Sequence, residues 1–125
     1  MGLDYVEIRG KKVYAENEEL YTLTLSNLQI SSLADIHGLD HIVDLESLHL
    51  EENLLSNLEG LDSLPNLLKL DVSDNKLPRI SGLTHQENLL ELDLSGNAIT
   101  RIEGLDCLPA LRDLHLANNP ISRIE

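Results

Sequence analysis

A glycine–leucine pair returns every 22 residues along this chain: Gly38-Leu39, Gly60-Leu61, Gly82-Leu83 and Gly104-Leu105. Asn53, Asn75, Asn97 and Asn119 keep the same spacing, and each ends an L-x-x-L-x-L-x-x-N run. The runs are led by Leu45, Leu48 and Leu50, by Leu67, Leu70 and Val72, by Leu89, Leu92 and Leu94, and by Leu111, Leu114 and Leu116. Four copies in register restrict the chain to a stack of similar coils, because one such unit cannot bury its apolar face without neighbours. An earlier copy, Leu20, Leu23 and Leu25, carries Leu28 in place of the asparagine. It runs to 25 residues because Ser31–Asp35 holds three more residues than Ser56-Asn57, and an added turn on the far side would absorb them.

The L-x-L portion alternates with period two and predicts a short strand with its leucines inward, one strand per repeat stacking into a parallel sheet. The following segment, as in Leu55, Leu58, Gly60, Leu61 and Leu64, returns the chain across the far side and closes the coil. An asparagine inside the bend both donates to and accepts from backbone groups that the turn leaves unpaired. The repeated glycine permits a positive φ or a close backbone approach where the return segment bends.

Composition narrows the chemistry. Phe and Trp are absent and Tyr numbers three among 125 residues, so aliphatic side chains must build the core. Lys and Arg total 9 against 22 Asp and Glu, a formal charge of −13. That field repels phosphate backbones and anionic lipid, which argues against nucleic-acid and membrane partners. The single Cys107 excludes an internal disulfide framework and suits a reducing compartment; a cytoplasmic location is expected.

These residues resemble the leucine-rich repeat family over residues 20–125, in particular its 22-residue class, to which the leucine-rich regulatory subunit of protein phosphatase one belongs. The resemblance implies a curved α/β repeat solenoid: a right-handed coil with a parallel sheet on the concave face and irregular or helical turns on the convex face. Residues 1–19 are expected to form a degenerate N-terminal cap, followed by five repeats at 20–44, 45–66, 67–88, 89–110 and an incomplete 111–125. For the cap, Leu3, Val6 and Ile8 fit a short capping coil, while a hairpin across Arg9-Gly10-Lys11-Lys12 pairing Tyr5–Ile8 with Lys12–Ala15 competes with it. Gln86 and Glu87 replace the Leu-Pro of other repeats, which predicts a looser third convex turn. The last repeat would expose Leu114, Leu116, Ile121 and Ile124 at an open sheet edge, from which weak self-association is expected.

Positions between the strand leucines project from the concave face as columns about 4.8 Å apart. The columns place Tyr21, Glu46, His49, Glu51, Glu52, Leu68, Lys69, Asp71, Asp74, Leu90, Glu91, Asp93, Arg112, Asp113 and His115 on that surface. Eight acids face two bases, beside an apolar strip at Tyr21, Leu68 and Leu90. The pattern suits a protein partner with a basic surface, anchored on the strip and steered by the acids. The expected function is thus a non-enzymatic protein-interaction module, a scaffold or regulatory adaptor; a secreted or surface recognition protein of internalin type is the alternative.

No cofactor or metal site is expected. His49 and His115 stand three repeats apart, roughly 14 Å by strand spacing, too far to share an ion, and each is expected to form a solvated pair with its neighbouring aspartate. Arg79, Arg101 and Arg123, next to Ser81, Glu103 and Glu125, suggest a ladder of exposed salt bridges. Cys107 is expected to be partly buried.

Overall fold

Each L-x-L motif forms a short strand, and the strands stack as the 22-residue period requires. The computed structural model describes residues 4–124, with residues 123 and 124 described by their backbone alone. Leu3, Glu125 and the side chains of Arg123 and Ile124, to which the repeat pattern assigns cap, ion-pair and edge positions, lie outside the described residues.

The chain opens on an antiparallel hairpin, β1 (Tyr5–Ile8) with β2 (Lys11–Tyr14), in the register Tyr5↔Tyr14 to Ile8↔Lys11. These residues therefore form the hairpin rather than a capping coil, one position tighter than the pairing with Lys12–Ala15. Arg9 and Gly10 turn the chain with φ of 50° and 79°, the two-residue turn whose twist matches that of the flanking strands. Val6 and Ile8 are buried against the first coil. Glu7 and His37 exchange backbone hydrogen bonds of 2.8 and 2.9 Å, tying the hairpin to the first return segment.

Next, β3 (Glu16–Asn17) pairs antiparallel with β4 (Tyr21–Thr24). From β4 onward the main sheet is parallel, through β5 (Ser47–His49), β6 (Lys69–Asp71), β7 (Glu91–Asp93) and β9 (Asp113–His115). A second parallel pair, β8 (Arg101–Ile102) with β10 (Arg123–Ile124), follows the turns after β7 and β9. Leu23, Leu48, Leu70 and Leu92 stand directly opposite one another across the sheet and are fully buried. Leu111, Leu114 and Leu116 of the fifth coil are only half-buried, since no described coil stacks beyond them.

The convex side turns without an α-helix among the described residues; its regular pieces are 3-10 turns at Leu33–Asp35, Leu39–His41 and Leu61–Ser63. The first of these occupies the three added residues, with Ser32 Oγ accepting from Ala34 N at 3.2 Å. No 3-10 turn forms around Gln86, yet that residue is fully buried and donates from Nε2 to Leu61 O at 2.7 Å. The third turn is thus pinned by a hydrogen bond where its neighbours use leucine packing. The repeated glycines all hold positive φ, and at Gly104 a Cβ would collide with the Ile80 carbonyl oxygen of the preceding coil.

Asparagines fasten coil to coil. Asn75 Oδ1 accepts from Leu55 N at 2.9 Å, while its Nδ2 donates to Leu50 O and to Val72 O, both at 3.0 Å. Asn53, Asn97 and Asn119 repeat the arrangement, so each amide binds its own coil and the one before. Before Leu28 there is an antiparallel hairpin and no coil with carbonyls in that place. An amide at position 28 would have nothing to bridge, and the Leu28 carbonyl instead accepts from the Arg9 guanidinium.

Candidate protein-docking surface

Strand pairing sets the columns without slippage. Thr22, Ser47, Lys69, Glu91 and Asp113 form one row of directly opposed residues, and Thr24, His49, Asp71, Asp93 and His115 form the next. A third column, Tyr21, Glu46, Leu68, Leu90 and Arg112, is linked by backbone hydrogen bonds from each residue to the carbonyl of the one before, as from Leu68 N to Glu46 O at 2.7 Å. The structure thereby brings the candidate residues onto one surface. Arg112, Asp113, His115, Glu52 and Asp74 are exposed, and the others are half-buried.

Local hydrogen bonding differentiates the acids. Asp71 Oδ1 accepts from Ser73 N and Ser73 Oγ at 3.0 and 2.7 Å, and Asp93 Oδ1 accepts from Ser95 N at 3.0 Å. Both carboxylates therefore cap the strand exit as well as charging the surface. The repeated D-x-S at Asp71-Val72-Ser73 and Asp93-Leu94-Ser95 was the available signal. Glu52 and Asp74 belong to a column, with Asn27, Gly96 and Asn118, in which every residue has positive φ. These positions serve the bend, where Asn, Asp and Gly are tolerated best.

The apolar strip is shorter than the columns suggest. Glu46 separates Tyr21 from Leu68, and the Tyr21 hydroxyl donates to Asp4 Oδ2 at 2.7 Å, away from the strip. Desolvation, and then that hydrogen bond, hold the Tyr21 phenol above its ordinary pKa. Leu68 and Leu90 adjoin each other in an open groove of about 550 Å³, with Asp44, Glu46, Asn66 and Asn88 among its other walls. Of the two bases, Lys69 lies 3.7 Å from Glu91 Oε2.

The expected histidine–aspartate pairs do not form. His49, at the end of β5, turns its Nδ1 to Glu51 Oε1 at 3.6 Å, two residues past the strand, and its Nε2 to Ser47 Oγ at 3.3 Å, on the same face of the strand. Ser47, His49 and Glu51 thus stand in the order of a serine–histidine–acid relay. Ser47 is 2% exposed, so the relay has no accessible nucleophile. His115 is exposed and holds no ion pair among the described residues. Arg79 and Arg101 are likewise without ion pairs there, so the described part of the expected ladder is not built; long exposed side chains gain too little from pairing to hold one geometry. Cys107 is exposed, not partly buried, since the fourth return segment turns it outward. No helix of the described residues is long and apolar enough to cross a membrane.

A family profile described as leucine-rich repeats in two copies matches residues 87–125. No curated protein matches the chain in sequence. Among solved structures, an internalin of Listeria monocytogenes superimposes with a TM-score of 0.70 at 26% identity, over 92% of this chain and 37% of that one. A chain of the Drosophila melanogaster SNF/U2A′ complex superimposes with a TM-score of 0.71 at 26% identity, over 87% of this chain and 64% of that one. The chain therefore spans less than two thirds of the length of either.

Proposed function

Since the chain is a leucine-rich repeat protein, we propose that it is a non-enzymatic interaction module, a scaffold or regulatory adaptor of the cytoplasm, that docks a basic protein partner on its concave sheet face. The observation that carries this is the register. It aligns Asp71, Glu91, Asp93 and Asp113 with Lys69, and the backbone bonds on either side of the strands bring Glu46 and Arg112 before them and Glu51, Glu52 and Asp74 after them, eight acids beside two bases. Such a field speeds encounter with a positive surface and rejects negative ones. Leu68 and Leu90, half-buried in the groove beside the acids, supply apolar area for an anchoring side chain. Membership of a chain with this fold in the SNF/U2A′ complex supports a protein as the partner.

The test is capture from native lysate with three baits: wild type, Asp93→Lys with Asp113→Lys, and a convex-face control, Asp40→Lys with Asp62→Lys. A specific protein held by wild type and by the control but lost from the concave variant is the expected result. Equal capture by all three, with each bait shown to be folded, would move the docking surface elsewhere.

A further inference from the structure

His49, Glu51 and Asp71 bring three ligand atoms within 4.8 Å of one another at the junction of β5 and β6. His49 ends β5, and Glu51 follows two residues beyond it. The His49 and Glu51 side chains meet at 3.6 Å, while Asp71 stands directly opposite His49 across the ladder. Within the cluster Glu51 Oε1 is itself inaccessible to solvent, although the Glu51 side chain is 26% exposed, and it makes no hydrogen bond among the described residues, lying 3.6 Å from His49 Nδ1. Buried polar atoms in folded proteins nearly always have a partner, and a bound ion is one of the groups that can supply it.

The surroundings prepare each ligand. Ser47 Oγ, in a residue only 2% exposed, lies 3.3 Å from His49 Nε2. An Nε2–H donated to that oxygen leaves Nδ1 as the lone-pair nitrogen facing Glu51, the outer-shell contact that metal-binding histidines use to set their tautomer. Ser73 holds Asp71 Oδ1 with two hydrogen bonds, which orients the carboxylate and leaves Oδ2 for an ion. His49 Nδ1 and Glu51 Oε1 are 3.6 Å apart, close to the edge of about 3.4 Å between ligands of a tetrahedral zinc ion with bonds of about 2.1 Å. Lys69, the base nearest the cluster in the columns, lies beside Glu91 instead.

We propose that His49, Glu51 and Asp71 form a binding site for one divalent ion of the zinc class, with the fourth position open to water or to a partner's side chain. One imidazole and two carboxylates suit zinc better than calcium or magnesium, which take oxygen ligands. The molecule contains its own comparison. His115 stands opposite Asp93 as His49 stands opposite Asp71, but Ala117 occupies the position two residues on, where Glu51 follows His49. The second histidine therefore lacks the third ligand. This inference is independent of the docking reading, because it concerns the isolated chain.

Calorimetric titration of the chain with zinc chloride tests it. One ion per chain is expected, with His49→Ala and Glu51→Gln each weakening association at least tenfold while His115→Ala keeps the site. Circular dichroism checks the fold of each variant, and Asp71→Asn replaces any that fails to fold. No one-to-one binding, or a loss of less than tenfold in the folded ligand variants, overturns the proposal.

Discussion

Replacing Asn75 by alanine removes a side chain that serves two coils, and the cost follows from which groups keep a second partner. Leu55 N–H, in a fully buried residue, donates to Asn75 Oδ1 alone among the described residues. Leu50 O still accepts from Asn53 Nδ2 at 2.9 Å, and Val72 O still accepts from Asn97 Nδ2 at 3.1 Å. The orphaned donor should cost about 2 kcal/mol and the two weakened carbonyls about 0.5 kcal/mol each, together about 3 kcal/mol. For a chain of this size that lowers the melting temperature by about 10 °C. Asn75→Asp is the sharper probe. It keeps an acceptor for Leu55 N–H but turns a carboxylate towards the Leu50 and Val72 carbonyls, and should destabilise more than alanine. Asn88→Ala, which removes an exposed 3.3 Å bond to Pro65 O, should stay within about 0.5 kcal/mol of wild type. Thermal and urea unfolding read all three. Asn75→Ala melting within about 2 °C of wild type would refute the argument that the amide spans the coils.

Gly104→Ala should lose about 2 kcal/mol or more in urea unfolding, because it adds both a strained positive φ and a collision with Ile80 O. Glu52→Asn should raise the urea midpoint, gaining up to about 1 kcal/mol, since Glu52 sits at φ 58° where asparagine is better tolerated. A raised Tyr21 pKa means the folded state holds the phenolic proton more tightly than the unfolded state. That stability is fully present below the ordinary tyrosine value of 10.0 and is lost as pH rises from there through the folded value. Tyr21→Phe should remove this part of the alkaline decline in a pH series of urea midpoints.

Repeat period, strand positions and columns were legible in the sequence because each depends on leucine spacing, and leucine burial admits one register. The capping coil was the favoured reading and the hairpin its competitor because Val6 and Ile8 satisfy either pattern. What decides between them is the turn at Arg9-Gly10, where both residues adopt positive φ. Less legible were contacts made by rotamer choice. His49 had acids within reach at Asp71 and at Glu51, and spacing alone cannot tell a cross-strand neighbour from one two residues along the strand. Gln86 looked like a defect for a similar reason, since its value lies in a carbonyl, Leu61 O, contributed by the previous coil.

The asparagine ladder also makes the solenoid report its own opening. Ile30, Leu55, Leu77 and Ile99 each have their amide proton held by the asparagine of the coil that follows. Such a proton exchanges with solvent only when two adjacent coils separate, and not when either one flexes alone. In a stack whose stability is a sum of neighbour contacts, these four amides form a series of gauges, one per interface. If the coils peel from the half-buried fifth coil, deuterium enters at Ile99 first, then Leu77, then Leu55, with Ile30 last beneath the hairpin. A partner gripping the sheet face would slow only the gauges under its footprint, so four exchange rates would map where it binds along the stack.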